Sequence, residues 1–266
     1  MLGWSINLFR VFGIRLAVHF TFLLLVAYAA WAGWRDNPTD HWMGLALDLA
    51  LIILLFTCIV LHELGHSLTA RRYGIGVSRI LLLPIGGMAE FDSIPRQPRR
   101  ELLISLAGPA VNFSIVLLLL LFLPWPKDWG GDTIEFSARG LGDLLLRINL
   151  IMGGFNLLPV FPMDGGRIFR ALLATRWSYL KATFWAAAVG KVLAVLGAIW
   201  FGLMAKNPNP MAAALFLFIM MAGDLEYRAV KRREEQTTQW ETLIRKLYGP
   251  GGGPDGVPAD VLHGPN

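Results

Sequence analysis

Met43–His66 reads MGLALDLALIILLFTCIVLHELGH. As far as Leu61 the stretch carries one charged residue, Asp48. Its length is close to the roughly 20 residues with which an apolar helix crosses a bilayer core. In lipid each backbone polar group must find its partner inside the protein, so such a run reads as a spanning helix. The helix is expected to continue through His62-Glu63-Leu64-Gly65-His66. Ionisable groups at membrane depth are costly, and three clustered there point to a task rather than to filler.

The rest of the chain repeats the pattern. Of 266 residues 55% are hydrophobic and 16% charged, against about 25% charged in an ordinary soluble domain. Six spans are expected, at Leu16–Trp34, Met43–Leu61, Leu102–Leu123, Leu144–Leu158, Ala182–Met204 and the short Pro210–Gly223. The last is short enough to be re-entrant instead. Arg10 and Arg15 before the first run resemble the start of a signal peptide, but the run is longer than a signal core and is read as a retained helix.

Arginine and lysine concentrate in alternate connections: Arg71, Arg72, Arg79, Arg96, Arg99 and Arg100; then Arg167, Arg170, Arg176 and Lys181; then Arg228, Lys231, Arg232 and Arg233. The positive-inside rule therefore places both termini in the cytoplasm. Trp31, Trp34, Trp42, Trp125 and Trp129 fall at the outer interface in that arrangement. The net charge of +5 follows the same topology signals and argues against a nucleic-acid partner. Cys58, alone, forms no intrachain disulfide. Residues 1–227 read as a membrane core and 228–248 as a cytoplasmic amphipathic helix with Trp240, Leu243, Ile244 and Leu247 at helical spacing. The Gly/Pro-rich 249–266 reads as a disordered tail.

Residues four apart share a helix face, so His62 and His66 can turn their rings to one metal ion. Glu63 lies beside the first of them, placed to act as general base on a water that zinc acidifies. Two histidines leave a catalytic zinc one protein ligand short. Asp164 is the candidate third, in NLLPVFPMDGGR (156–167), where Pro159 and Pro162 end the fourth helix and Gly165 and Gly166 permit turns. The second and fourth spans run in the same direction, so their ends meet one membrane face. His19, without a partner at metal-ligand spacing, reads as structural, and Asp48 and Lys191 are intramembrane charges without an assigned task. Ser78–Leu83 can form an edge strand to which an unwound substrate adds by backbone pairing.

HELGH near the end of one span, with NLLPVFPMDGGR after another, resembles the site-2 protease family of intramembrane metalloproteases. The resemblance covers the membrane core and implies an all-α polytopic protein with about six transmembrane helices and a small membrane-associated β-hairpin near the active site. It implies Zn2+ on His62, His66 and Asp164, Glu63 as base, and Asn156 holding the substrate carbonyl or its oxyanion. PIGGMAEF, from Pro84, is similar to the family's hairpin, and AGPAVN, ending at Asn112, to a feature of its third span. Gly86, Gly87 and Asn112 are thereby expected to contact substrate, although an interhelical hydrogen bond is the plainer role for Asn112 and a turn for the glycines.

The compact layout resembles the branch of sporulation-factor-processing proteases, without PDZ or CBS modules. The expected function is zinc-dependent endopeptidase action on membrane-spanning or membrane-tethered substrates near the cytoplasmic side. A membrane-tethered transcription regulator is such a substrate, and the cell membrane the expected location. The alternative is a non-proteolytic membrane metal carrier or sensor. A carrier needs ligands at several depths, whereas here they cluster at one level.

Overall fold

The computed structural model describes residues 4–36, 40–84, 86–92, 96–123, 125, 138–205 and 208–248. The 249–266 tail and Trp129 lie outside the described residues. The chain divides into two compact units, Met1–Leu158 with Met163–Ala171, and Pro159–Pro162 with Leu172–Asn266.

The first unit starts with strands, which the all-α expectation did not include: β1 (Ser5–Val11) and β2 (Ile14–His19). Helix α1 (Phe20–Asp36) follows, then α2 (His41–Arg72). The chain returns as β3 (Val77–Leu83) and β4 (Gly86–Phe91). The four strands form one sheet in the order β1-β2-β3-β4. β2 and β3 run parallel, with Leu16 opposite Ile80 and Val18 opposite Leu82. A parallel pair needs a long crossover, and the α1–α2 helical hairpin is that crossover. The expected β-hairpin is therefore the β3–β4 half of a larger sheet. β3 is an inner strand, not the edge expected of Ser78–Leu83; β4 occupies that edge.

The first expected span was displaced for a physical reason. Leu16–His19 carries no charge, but Ile14, Leu16 and Val18 alternate along a strand. They are buried with Ile80 and Leu82 of β3 against Phe56 and Leu64 of α2. Alternate residues of a strand share a face, so this face of the sheet lies on α2.

α2 runs unbroken through the HELGH segment, its N-terminus capped by the Asp40 carboxylate accepting from Met43 N (3.0 Å). α3 (Pro98–Leu120) starts with proline at a first-turn position, where its missing N–H costs nothing. α4 (Ala138–Asn156) ends at Asn156, and α5 (Asp164–Ala174) begins at the proposed third ligand. Gly165 and Gly166 lie in the first turn of α5 and have no positive φ. The glycine at 165 is required by close approach, since a Cβ there would collide with the Leu157 and Leu158 carbonyls.

In the second unit, α6 (Tyr179–Ile199) continues through a π turn, Trp200–Met204, and α7 (Pro210–Tyr248) is one 39-residue helix. The short sixth span and the amphipathic 228–248 segment are thus a single helix, long enough to cross a membrane and continue beyond it. Phe201 of the π turn stacks on Phe216 of α7 (5.6 Å between centroids). Lys191 of α6 pairs with Asp224 of α7, which gives one of the unassigned intramembrane charges a partner.

Four helices among the described residues are long and apolar enough to span a membrane: His41–Arg72, Pro98–Leu120, Tyr179–Met204 and Pro210–Lys246. The count of six is not reproduced on that measure. α1 has 17 residues, and α4 carries Arg139, Asp143 and Arg147 between its start and its midpoint.

Candidate metal centre

The centre is assembled within the first unit from α2, α3 and α5, with β4 beside it. His62 and His66, one turn apart on α2, stand in a T-shaped arrangement, ring centroids 4.7 Å apart. Both are almost fully buried, 5% and 6% exposed. Their Nε2 atoms are 3.1 Å apart. Asp164 Oδ2 lies 3.2 Å from Nε2 of His62 and 3.1 Å from Nε2 of His66. The three atoms thus form a nearly equilateral triangle.

A tetrahedral zinc with ligands at about 2.0–2.1 Å has ligand-to-ligand separations of about 3.3 Å. The triangle matches one face of that tetrahedron and leaves the fourth vertex for a reactant. Two imidazoles and one carboxylate are also the donor types zinc takes in catalytic sites. Among the described residues, His62, His66 and Asp164 are the one group of three or more His, Cys, Asp or Glu placed to share an ion.

Each ring is aimed by its other nitrogen. His62 Nδ1 donates to Asn112 Oδ1 (2.6 Å), and His66 Nδ1 to the Ile104 carbonyl (2.7 Å), both on α3. Those bonds leave the Nε2 lone pairs for the metal, the usual arrangement behind ligating histidines. Asn112 passes the constraint on, its Nδ2 donating to Asn149 Oδ1 of α4 (2.8 Å). Asn149 in turn donates to the Leu145 carbonyl (2.8 Å). Asn112 is fully buried. Its Oδ1 is engaged by His62 and its Nδ2 by Asn149. These are hydrogen bonds between helices, the plainer of the two roles expected of it.

The AGPAVN segment also explains why α2 and α3 approach so closely. A Cβ on Gly108 would sit inside the space of the His66 imidazole and 2.8 Å from His62 Cε1. One on Gly65 would meet the Ala107 carbonyl oxygen at 2.6 Å. The absent side chain of Gly65 thus admits the α3 backbone.

Burial works against ionising Asp164, yet the hydrogen bonds and charge of His62 and His66 hold its carboxyl well below the usual carboxylate range.

Glu63 reaches towards the sheet. Its Oε2 accepts from the Ala89 N–H of β4 (3.2 Å). Gly87 makes room for it, since a Cβ there would lie 2.8 Å from Glu63 Cγ and 2.9 Å from Ile59 Cγ2. Gly86 has φ of +143°, a backbone that favours glycine, and open space where a Cβ would be. Both glycines thus shape the start of β4 next to Glu63. Asn156, the last residue of α4, is half-buried, and its Nδ2 donates to the Met152 carbonyl (3.0 Å). His19 accepts or donates at Thr21 Oγ1 (2.7 Å) where β2 turns into α1, a structural role.

The sequence reading missed Asn149, Glu101 and Arg170. Asn149 was detectable as an amide inside an apolar run. Arg170 had been counted among the topology-setting charges, yet it is fully buried.

The model of peptidase family M50 matches residues 50–127 and 127–197. A zinc metalloprotease of Methanocaldococcus jannaschii is 41% identical over 230 residues, covering 86% of this chain and 62% of its own. Stage IV sporulation protein FB of Bacillus subtilis is 27% identical, covering 78% of this chain and 69% of its own. Among solved structures, the site-2 protease from Methanocaldococcus jannaschii aligns with a TM-score of 0.58 and 39% identity, over 84% of this chain and 95% of that one. Against the first three curated relatives the chain spans between about a third and 62% of their lengths.

Proposed function

The chain belongs to peptidase family M50, the site-2 protease family, and from that membership we propose that it is a zinc-dependent intramembrane endopeptidase. The observation that carries the proposal is the 3.1–3.2 Å triangle of His62, His66 and Asp164, with the Glu63 carboxylate one residue from the first ligand. Zinc supplies Lewis acidity there, lowering the pKa of a water and polarising the scissile carbonyl. His62 and His66, held from behind by Asn112 and Ile104, and Asp164 keep the coordination face rigid. Glu63 takes the proton from the attacking water and delivers it to the leaving amine. Asn156 has amide capacity beyond its bond to Met152 and is assigned to the substrate carbonyl.

A transmembrane substrate arrives as a helix, with its peptide groups already paired, and must be extended before water can reach one. The outer edge of β4 favours that step. It carries backbone donors and acceptors next to Glu63, and an extended segment can add to it as a further strand. The preferred substrate class is a membrane-spanning or membrane-tethered protein, a transcription regulator among them. The metal-carrier reading is weaker, because the ligands lie at one level and a base is adjacent.

In this reading α1, α2, α3, α4, α6 and α7 all cross the cell membrane and both termini are cytoplasmic. His62 lies about 28 Å along α2 from Met43 at 1.5 Å per residue, which supports a centre near the cytoplasmic side. Reporter fusions after residues 37, 97, 131, 177, 207 and 236 are expected to alternate outside and inside; an external reporter at 236 would refute the six-span arrangement. Membrane proteomes of cells carrying the parent or Glu63→Gln protein test the activity. An uncut membrane protein should accumulate with the variant, and identical proteomes would count against a protease.

A further inference from the structure

α5 is only 11 residues long and enters from the irregular chain at 157–163. Short helices are marginal on their own, yet α5 must hold Asp164 Oδ2 close enough to two buried imidazoles to share an ion. Near its other end, Arg170 is fully buried, and its partner Glu101, in the first turn of α3, is 3% exposed. Arg170 Nε donates to Glu101 Oε1 at 2.9 Å, and Nη2 donates to the same oxygen.

We propose that the Glu101–Arg170 ion pair is a positioning device for the metal centre, fixing the Asp164-bearing helix to the helix that aims both histidines. The proposal rests on the reading of His62, His66 and Asp164 as zinc ligands.

First, Glu101 stands one turn before Ile104, whose carbonyl accepts from His66, and on the same α3 as Asn112, which accepts from His62. A tie between Glu101 and α5 therefore sets the third ligand against the supports of the first two. Second, the contact is directional. Two donors of one planar guanidinium converge on one carboxylate oxygen, which restricts the rotation of α5 as well as its distance from α3. Third, an ion pair buried this deeply is a poor stabiliser, because desolvation offsets its attraction and apolar residues of similar size usually serve as well. Geometry is what the charged pair supplies and an apolar pair does not.

The test measures the zinc dissociation constant of the purified full chain in detergent, by competition with a chelator. The visible spectrum of the Co2+-loaded protein and its thermal unfolding are recorded alongside. Glu101→Gln keeps the shape and removes the charge. It is expected to raise the zinc dissociation constant by about 10- to 100-fold, the range for groups that orient ligands, and to change the Co2+ spectrum. Ile219→Ala, which opens the core of the second unit (Ile219 is 2% exposed), should lower the unfolding temperature and leave both metal readouts unchanged.

If Glu101→Gln does not fold, the double variant Glu101→Gln/Arg170→Met removes both buried charges and recovers stability. Its zinc affinity should still be low, whereas parent-like affinity would overturn the proposal. Equal zinc affinity and an identical Co2+ spectrum in Glu101→Gln and parent would overturn it too. Asp164→Asn, run in parallel, separates the two levels. Parent-like zinc binding in that variant defeats the ligand assignment itself; weakened binding there with parent-like binding in Glu101→Gln defeats only the ion pair's role.

Discussion

Glu63→Gln is expected to keep about one zinc per chain while cleavage falls by about 10²- to 10⁴-fold, the range that general acid–base catalysis supplies. The substitution exchanges one carboxylate oxygen for an amide nitrogen without changing side-chain volume. Glu63 is outside the triangle of ligating atoms, which His62, His66 and Asp164 complete among themselves. Its Oε2 accepts from Ala89 N–H, and a glutamine oxygen can accept the same bond. The side chain therefore stays near β4, and Gly87 keeps the space that its stem occupies. What disappears is the ability to take a proton from water and return it to the amine. Zinc content, the Co2+ spectrum and the unfolding temperature should match the parent, with turnover alone changed. A variant that kept more than a tenth of parental cleavage would exclude Glu63 as the base.

Replacing both His62 and His66 by alanine is expected to remove the metal. Mutating groups that only orient ligands costs about 10- to 100-fold in affinity, so deleting two of three protein ligands should exceed about 100-fold. Activity goes with the ion, and added zinc should not restore it. The loss has a structural side as well. Asn112 Oδ1 loses its imidazole donor, and an acceptor left buried without a partner costs about 1–3 kcal/mol. The variant should unfold at a lower temperature than zinc-free parent, not merely than zinc-loaded parent. Full metal occupancy in the double variant would refute the ligand assignment.

The helical part of the fold was legible because long apolar runs admit few alternatives in a membrane. HELGH falls on a continuous helix for the same reason, and the i, i+4 spacing alone puts its histidines together. The first span shows where charge counting stops working. Leu16–His19 has no charge, so it merges with the helix that follows, while the alternation of Ile14, Leu16 and Val18 marks a strand. The sheet adds a non-local fact, the parallel pairing of β2 with β3 across an intervening helical hairpin. The end of α7 was hidden by composition, since the helix passes from apolar to charged after Gly223 without a break.

At the site, residue types and spacing pointed to His62, His66 and Asp164, which the structure brings together, and to Glu63 beside the first of them. Their supports were not legible, because each depends on which helix faces which. Asn149 acts on His62 through Asn112 from another helix. Ile104 contributes a carbonyl, which any residue has. Ala89 contributes an N–H, and Gly87 contributes the absence of a side chain. Arg170 and Glu101 are 69 residues apart, and nothing local to either marks the pair.

The central claim is that three residues hold zinc while a fourth, beside them in sequence, moves the proton. Its most direct test is bound zinc and cleavage of a membrane-protein substrate, measured in one detergent preparation each of parent, Glu63→Gln and His62→Ala/His66→Ala. The account predicts metal with cleavage, metal without cleavage, and neither, in that order. Zinc lost from Glu63→Gln and retained by the histidine variant would contradict it.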